Sequence, residues 1–453
     1  MPSSRIRSLR TGSKRRCVRI GEVEASRVAV FGFGRTGRAV VEFLLRKGIE
    51  PFVTDAGSIS DEAKGFLSSH SVSYEDGGHT LRAVSGVDLI VLSPGVDPRA
   101  PILGNARSRG IPILSELDLA GMFLPRVPII GVTGTNGKST TVRLIEAILR
   151  AQGRTAVSGG NIGIPAISLV GGDYDVLVLE VSSFQLEQSS AFHPRVGVLL
   201  NIAPDHLDRH RTMAAYTAAK LRLFRNQTRD DLAVAPTELA AALREIEPAV
   251  VFYDRLDLSP LPGFERLLFH NRLNLKAAVA AARGIVEFDP LDLDLEGLVP
   301  AFSLPYRMRV EGEVGGALVI NDSKSTNAAA TIAALRGFDR PVVLILGGRH
   351  KGAGYEELAR EIAGRRVKQV VLYGEAALYL KERLHAAGIV PAGEFPDLEG
   401  AVECALDHTS PGDVLLFSPA CSSYDLFRNY EERGMAFSSM IRAHPFFRAR
   451  MTD

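Results

Sequence analysis

From Arg27 onward, short runs of apolar and β-branched residues alternate with amphipathic stretches of helical length. This alternation is typical of parallel strands joined by crossover helices, so the sequence predicts an α/β fold throughout. A chain of 453 residues also exceeds the length that one hydrophobic core usually serves. The predicted strands cover residues 28–31, 51–54, 89–93, 111–114, 129–133, 176–181, 196–201, 232–235, 342–346, 370–373 and 414–418.

Three α/β domains follow from the grouping of these strands. We predict a Rossmann-like domain over residues 25–126 and a smaller Rossmann-like domain over 305–453. Between them, the first strand of a mostly parallel sheet over 127–304 leads into Gly137-Lys138-Ser139, which predicts a P-loop ATPase-like domain. Proline-bounded segments near 124–128 and 304–305 mark the boundaries. Residues 1–24 are predicted to be a disordered basic arm, because the first twenty residues contain arginines and lysines but no acid and no apolar signal follows them.

The composition favours a protein that acts on small molecules. The 53 basic and 52 acidic residues give a net charge of +1, which provides no general attraction to nucleic acid or to an anionic membrane. The three cysteines form no CxxC pair, which indicates a reducing compartment. No apolar run reaches the roughly 18 residues of a membrane-spanning helix. We therefore expect a soluble cytoplasmic protein. We also expect a monomer, although these features do not fix the oligomeric state.

The most informative motif follows the strand at 129–133. Its glycines allow backbone amides to converge on phosphate oxygens, its lysine supplies a positive charge, and its serine hydroxyl can bind Mg²⁺. We expect the next helix to begin near Thr141. The spacing departs from the common P-loop pattern, because Val132 stands five residues before Gly137. A glycine-rich turn with a coincidental lysine is the alternative. The predicted triphosphate loop comprises Gly134, Thr135, Asn136, Gly137, Lys138, Ser139 and Thr140.

Two further residues stand where a magnesium ion on those phosphates would need ligands. Glu180 lies at the end of one predicted strand and His206 follows the end of another, and α/β sheets bind ligands at that edge. Each residue alone could equally be a surface acid or a turn residue. Their shared position beside the phosphate loop favours a metal site.

A second glycine motif, Gly32-x-Gly34-x-x-Gly37, follows the first strand, and Asp55 stands eighteen residues beyond it. This pattern predicts a diphosphate at a helix N-terminus with an acid that accepts a hydrogen bond. A nicotinamide dinucleotide and a UDP-sugar satisfy it equally well. Ser93 ends a later strand and would line the same crevice, although a plain turn explains it nearly as well.

Several segments together carry a resemblance to a known family. Residues 134–139, Gly-Thr-Asn-Gly-Lys-Ser, match the ATP signature of the Mur ligases and the related folylpolyglutamate synthases. The resemblance covers nearly everything from residue 27 to the C-terminus. Segments 159–163, 179–187, 205–209, 321–327 and 418–423 resemble the Mur ligases that add D-glutamate.

The resemblance implies roles in ATP and metal binding. Lys138 and Ser139 would hold the phosphates and magnesium, and Glu180 and His206 would complete two magnesium sites. Lys220 matches a lysine that is carbamylated in this family and thereby becomes a metal ligand, although the sequence alone suggests an ordinary exposed helical lysine. Asn271 and Asn274 are the implied contacts on the adenine side of ATP, and Arg307 and Asp322 are the implied ATP contacts from the third domain.

The resemblance also implies two substrate sites. The first domain would bind a uridine diphosphate group through Arg35, Thr36, Asp55 and Ser93, and Asn161 would contact the muramoyl substrate. Two departures from the family stand near the implied amino-acid site: Arg349-His350 precedes a lysine that usually follows an acid and a glycine, and a tyrosine replaces phenylalanine at 430. The implied amino-acid contacts are Lys324, Thr326, Lys351, Ser423 and Tyr430.

The activity that the resemblance implies is one ATP-dependent step of peptidoglycan synthesis. D-glutamate would be joined to UDP-N-acetylmuramoyl-L-alanine through an acyl phosphate, with closure of the third domain assembling the site. The alternatives are a related ligase that adds another amino acid or extends folate, an NAD-linked oxidoreductase, and a nucleotide sensor without catalysis. Neither nucleic acid nor membrane is expected as a partner.

Overall fold

The computed structural model describes residues 17–161, 163–352 and 354–449. These residues form two compact units. The first contains the described residues up to Val127 with Gly159–Asp173 and Phe184–Phe192, and the second contains Pro128–Ser158, Tyr174–Ser183 and the described residues from His193 onward. In the described parts of the chain, no helix has the length and apolar composition needed to cross a bilayer.

The N-terminal region forms a small hairpin and a sheet of five parallel strands. Its elements are β1 Val18–Ile20, β2 Val23–Ala25, β3 Arg27–Phe31, α1 Arg35–Arg46, β4 Glu50–Thr54, α2 Asp61–Ser69, β5 Ser73–Glu75, β6 Leu89–Leu92, α3 Pro101–Ser108, β7 Ile113–Ser115 and α4 Glu116–Gly121. Strands β1 and β2 pair antiparallel, and the five-stranded sheet has the order β5-β4-β3-β6-β7. The alternation of strands and helices in the sequence thus produces a parallel sheet, as predicted.

The central region forms a six-stranded sheet in the order β13-β12-β11-β8-β10-β9. Its elements are β8 Ile129–Thr133, α5 Lys138–Ala151, β9 Ala156–Gly160, β10 Val176–Glu180, α6 Ser183–Gln188, β11 Val196–Leu199, α7 Leu207–His210, α8 Met213–Leu221, β12 Leu232–Ala235, β13 Ala249–Phe252, α9 Phe269–Arg283 and α10 Leu295–Phe302. Every residue of β10 and β11 is buried, as expected for parallel strands covered on both faces. Strand β8 pairs parallel with both of them, so the loop after β8 lies between their carboxyl ends.

The C-terminal region forms a seven-stranded sheet in the order β18-β17-β16-β19-β15-β14-β20. Its elements are β14 Arg309–Val314, β15 Ala317–Asn321, α11 Ala328–Leu335, β16 Val342–Gly347, α12 Glu356–Ala363, β17 Val367–Tyr373, α13 Ala377–Ala386, β18 Gly393–Phe395, α14 Leu398–Asp407, β19 Val414–Ala420, α15 Tyr430–Ala443 and β20 Phe447–Arg448. Among the strand pairings described for this sheet, only those of β14 with β15 and β20 are antiparallel. Alternate residues of β16 enter two separate cores: Leu344 and Leu346 one, Val343 and Ile345 the other.

The α/β prediction is confirmed, with two kinds of error. The disordered arm predicted for residues 1–24 is wrong where β1 and β2 form, because that hairpin buries Ile20 and Ala25. Residues 1–16 lie outside the described residues. The boundaries predicted for the three domains stay predictions. The strands that sequence reasoning missed are β1, β2, β5, β9, β13, β14, β15, β18 and β20.

Two acids at the start of α4 form hydrogen bonds to the later segments of the first unit, Gly159–Asp173 and Phe184–Phe192. Glu116 accepts a hydrogen bond from the Ile167 amide at 2.8 Å, and Asp118 accepts one from the Ala191 amide at 3.0 Å. Glu116 is only 1% exposed, and its other carboxylate oxygen has no hydrogen-bond partner among the described residues. Burial raises the pKa of Glu116 to about 7, against the opposing effect of the Ile167 and Ala166 amides.

Glu116→Gln should make the free energy of unfolding less dependent on pH. The unfolded chain releases the Glu116 proton near pH 4, but the folded chain keeps it until about pH 7. The wild type therefore loses roughly 2–3 kcal/mol relative to the variant as pH rises from 5 to 7.5. Urea unfolding at both pH values measures this difference. The exposed Glu62→Gln is the control, and equal pH slopes for wild type and Glu116→Gln would contradict the prediction.

Candidate active site

The predicted phosphate loop connects β8 to α5, which begins at Lys138 rather than near Thr141. Gly137 has a φ of +86°, and a Cβ at this position would overlap Asn274 Oδ1. Only glycine fits there, because the left-handed backbone and the neighbouring amide both exclude a side chain. The first amides of a helix have no intrahelical partner, so this tight turn presents them as an anion site.

The strand end beside the loop fixes its conformation. Asn136 N donates to Asn201 Oδ1 at 2.9 Å, and Asn201 Nδ2 donates back to Asn136 O at 3.0 Å. Thr135 N donates to Asn201 O at 3.0 Å, and Thr135 Oγ1 accepts from Ala203 N at 2.9 Å. These hydrogen bonds therefore hold the loop against the residues that follow β11.

Two lysines, the half-buried Lys138 and the buried Lys220, share one carbonyl oxygen of this loop. Lys138 Nζ donates to Gly134 O and Thr135 O at 2.9 Å, and Lys220 Nζ donates to the same Gly134 O at 2.8 Å. Burial lowers the pKa of Lys138, and burial together with the charge of Lys138 lowers the pKa of Lys220 well below its usual value. Lys220 also lies over the Tyr216 ring, 4.6 Å from its centroid. The expectation of an exposed helical lysine from sequence alone is wrong, since Lys220 is only 2% exposed.

The predicted metal ligands differ in their surroundings. Ser139 Oγ donates to Glu180 Oε2 at 2.7 Å, and both residues are buried. His206 has a left-handed φ of +54°, and burial together with the Lys351 charge lowers the pKa of its imidazole to about 3. A neutral imidazole can act as a metal ligand. The described residues contain no group of three or more His, Cys, Asp or Glu side chains arranged to hold a metal alone.

Asp205 joins the central and C-terminal regions of the second unit. Its carboxylate accepts from Lys351 Nζ at 3.0 Å and from Asn327 Nδ2 at 3.2 Å. Burial opposes its ionisation, but the charge and the hydrogen bond of Lys351 hold the pKa of Asp205 at about 2. Asp205 and Asn327 belong to the quoted family segments, but sequence reasoning gave them no role.

A cavity of about 370 Å³ opens beside the phosphate loop. It brings together most of the predicted ATP contacts. Phe269 and Leu268 stand at α9 beside it with exposures of 74% and 45%. Sequence reasoning missed these two residues and His270, although the adjacent Asn271 pointed to this segment. The predicted contacts that line the cavity are Asn136, Gly137, Thr140, Asn271, Asn274, Arg307 and Asp322.

Asp322, the predicted ATP contact among the acids that line this cavity, is fully buried and accepts several hydrogen bonds. Asp322 accepts from Ser325 Oγ at 2.5 Å and from Ser418 Oγ at 2.9 Å. Arg307 Nη1 lies 4.0 Å from its carboxylate and donates to Ser325 Oγ at 3.2 Å. Burial raises the pKa of Asp322, while Arg307 and the two hydroxyls oppose that rise.

The predicted amino-acid contacts form two adjacent pairs. Lys324 Nζ donates to the Tyr430 hydroxyl at 2.8 Å and lies 4.4 Å from the centroid of its ring. Burial lowers the pKa of Lys324 to about 8, although the Glu180 charge raises it. Lys351 Nζ lies 3.4 Å from Thr326 Oγ1. Ser423 is buried and follows β19.

Arg349 and His350, which precede Lys351 and depart from the family pattern, contact other residues of the C-terminal region. Arg349 Nε donates to Glu375 Oε2 at 2.8 Å, and the His350 ring stacks on Tyr379 with centroids 4.8 Å apart. Their side chains therefore have partners other than Lys351. The departure at Tyr430 does contribute to the site, because its added hydroxyl accepts from Lys324.

The glycine motif of the first unit forms a tight turn between β3 and α1. A Cβ at Gly37 would overlap the Gly32 carbonyl oxygen, and Ser93 Oγ donates to that oxygen at 2.8 Å. Asp55 Oδ2 accepts from Phe33 N at 2.6 Å. Arg35 and Thr36 open α1, and Arg35 Nη1 is 3.4 Å from Gly163 O. Asn161 follows β9 in the same unit.

Comparison with known proteins identifies the family. Residues 27–102 match the MurD N-terminal domain, residues 132–256 the Mur ligase middle domain, and residues 306–421 the Mur ligase, glutamate ligase domain. A Pelotomaculum thermopropionicum protein named UDP-N-acetylmuramoylalanine–D-glutamate ligase is 39% identical over 447 residues, which cover 92% of this chain and 97% of that protein. The chain belongs to the UDP-N-acetylmuramoylalanine–D-glutamate ligase family of Mur ligases.

Other relatives of this Mur ligase agree. A Geobacter protein with the same name is 38% identical over 453 residues, covering 93% of this chain and 98% of that protein. The crystal structure of the MurF ligase of Thermotoga maritima in complex with ADP has a TM-score of 0.54 and 18% identity, and covers 86% of this chain and 93% of that one. That likeness shows a shared fold. The resemblance stated from the sequence is confirmed, and the oxidoreductase and sensor alternatives are wrong.

Gly137→Ala should weaken ATP binding by at least about 10-fold, because the methyl group must displace Asn274 or shift the loop amides. Calorimetric titration with a non-hydrolysable ATP analogue measures the affinity. Gly153→Ala is the matched control: Gly153 also has a positive φ, at the other end of α5, but a Cβ there meets nothing within 4 Å. Equal affinities for the two variants would refute the assigned role of Gly137.

Proposed function

We propose that this Mur ligase joins D-glutamate to UDP-N-acetylmuramoyl-L-alanine and cleaves ATP to ADP and phosphate. The observation that carries the proposal is the pair of lysines that donate to the Gly134 carbonyl, close to the hydrogen-bonded Ser139–Glu180 pair. It is supported by relatives that are named UDP-N-acetylmuramoylalanine–D-glutamate ligase. Cytoplasmic location and a monomeric state remain predictions.

The chemistry requires that a carboxylate oxygen become a leaving group. ATP transfers its terminal phosphoryl group to the alanyl carboxylate, giving an acyl phosphate and ADP. The glutamate amine then attacks the acyl carbon, loses a proton, and expels phosphate as the amide forms. Such phosphoryl transfer depends mainly on positioning and charge stabilisation.

In this proposal Lys138 and the amides of α5 offset the charge of the transferring phosphoryl group. Lys138 Nζ has three N–H donors and gives two of them to loop carbonyls, so a third is available for phosphate. These two hydrogen bonds position the ammonium group, and such positioning reduces the reorganisation that a transition state requires. The cavity of about 370 Å³ would hold the nucleoside, with Asn271, Asn274 and Arg307 as contacts.

Magnesium fits the donor set around the loop. Ser139, Glu180 and neutral His206 offer a hydroxyl, a carboxylate and an imidazole, and Mg²⁺ usually takes few protein ligands together with phosphate oxygens and water. Two ions would neutralise phosphate charge when bound. Lys220 would contribute as a carbamate: its neutral amine adds to CO₂ and releases one proton, which replaces a cation with an anionic oxygen ligand.

The amino-acid site is proposed at Lys324, Thr326, Lys351, Ser423 and Tyr430. Two lysines suit the two carboxylates of glutamate, and the hydroxyls of Thr326 and Ser423 can donate to them. In the first unit, Arg35, Thr36, Asp55 and Ser93 would bind the uridine diphosphate group, and Asn161 the muramoyl part. The D-configuration of the amino acid is inferred from the names of the relatives.

Phosphate release should require ATP, magnesium, UDP-N-acetylmuramoyl-L-alanine and D-glutamate together. In a panel of D- and L-amino acids, only D-glutamate should support turnover well above background. Lys138→Ala should lower kcat by at least about 100-fold, because it removes a charge that stabilises the transition state. Lys381→Ala, at an exposed ion pair on α13, is the control. Turnover with folate and L-glutamate instead would overturn the assignment.

Carbamylation of Lys220 should be visible directly. In ¹³C-bicarbonate the protein should give a carbamate resonance that disappears in Lys220→Ala and persists in Lys381→Ala. Removal of CO₂ should lower activity, because the neutral amine then lacks its anionic ligand group. A missing resonance in an active, bicarbonate-saturated enzyme would exclude the modification.

A further inference from the structure

The side chain of Asn327 contacts both the phosphate loop and the segment that carries the proposed amino-acid site. Asn327 is 7% exposed and precedes α11, where its Oδ1 accepts from the Ala330 amide at 2.9 Å and caps the helix. It directly follows Thr326. Any movement of Asn327 therefore moves the start of α11 and the proposed glutamate contacts beside it.

The same amide reaches the central region. Asn327 Nδ2 donates to Asn136 Oδ1 at 3.2 Å and to Asp205 Oδ2 at 3.2 Å. Asn136 Nδ2 returns a longer hydrogen bond, 3.5 Å, to Asn327 Oδ1. Asn136 belongs to the phosphate loop and lines the nucleotide cavity. A single side chain thus bridges the two regions of the second unit.

These four contacts use the full capacity of a carboxamide, which has two N–H donors and an oxygen with two acceptor sites. A buried amide that lost one of them would carry an unsatisfied polar group. Aspartate would lose both donors and place a second negative charge beside Asp205, and serine is too short to reach Asn136. Asparagine is therefore specified by the bridge and not only by the helix cap, which serine would also satisfy.

Asp205 adds a second connection at the same point. It also accepts from Lys351 Nζ, and the Lys351 carbonyl accepts from the Asp208 amide at 3.1 Å. The loop after β16 and the cap of α11 therefore meet one central carboxylate. The bridge lies where nucleotide binding would act on Asn136 and where amino-acid binding would act on Thr326 and Lys351.

We propose that Asn327 is a positioning residue. It couples nucleotide binding at the phosphate loop to the conformational order of residues 324–327, which carry part of the proposed glutamate site. This inference rests on the proposed function for the identity of the second ligand. Nucleotide that fixes Asn136 strengthens the bridge, and the bridge fixes the start of α11. Because coupling between two binding sites is reciprocal, glutamate bound at this segment also favours nucleotide.

Hydrogen exchange tests the coupling without turnover. In the wild type, a non-hydrolysable ATP analogue with magnesium should slow amide exchange in Ala328–Leu335. Asn327→Ser should keep the helix cap but lose most of this nucleotide-dependent protection, while its affinity for the analogue changes by less than about 3-fold. Asp397→Ser replaces the cap of α14, which has a cap bond to Gly400, and is the matched control. It should leave the protection of α11 unchanged.

Kinetics and a second variant complete the test. In Asn327→Ser, kcat/KM for D-glutamate should fall by at least about 10-fold, within the usual range of coupling between sites. Asn136→Ala should lose the same exchange protection, and the double variant should lose no more, as expected for residues that act as one contact. Full protection in a folded Asn327→Ser would overturn the inference. A wild type that protects α11 but releases no phosphate with D-glutamate would instead overturn the proposed function.

Discussion

The Gly134 carbonyl oxygen is the point on which the proposed active-site chemistry depends, because Lys138 and Lys220 both donate to it. Two ammonium groups on one buried oxygen repel each other, and burial penalises each charge. The shared acceptor therefore favours one charged lysine and one neutral amine. Lys138 begins α5, where a charge can serve phosphate, and Lys220 lies on α8, where a neutral amine is open to modification. In the proposed mechanism, a single backbone atom thus separates the roles of two chemically identical side chains.

The departures from the family pattern show which changes the site tolerates. Arg349 pairs with Glu375 and His350 stacks on Tyr379, so the new charge and ring are held by C-terminal partners. Lys351 keeps its bond to Asp205. Tyr430 differs, because its hydroxyl bonds Lys324 directly. Substitutions near the amino-acid site are therefore accommodated where a local partner exists, and the lysines that would bind carboxylates stay in place.

The sequence predicted the buried parallel strands and the glycine loops, because continuous apolar runs and positive-φ glycines leave strong local signals. It missed β14 and β9, since the first carries exposed Arg309 and Val310 at an antiparallel pairing and the second ends in glycines. The burial of Lys220 could not be predicted, because a lysine among alanines reads as a solvated helix face. Asn327 escaped notice for a related reason: its partners lie more than a hundred residues away in the chain.

The exposed Phe269 and Leu268 beside the nucleotide cavity have a thermodynamic consequence. An aromatic ring in water orders solvent that is released when a planar base covers it, so association here removes apolar area and lowers the heat capacity. The enthalpy of nucleotide association should thus become more favourable on warming, with the entropy changing in the opposite sense. The temperature dependence of nucleotide affinity would then depend on two apolar side chains at the rim of the cavity, as well as on the charged groups around the phosphates.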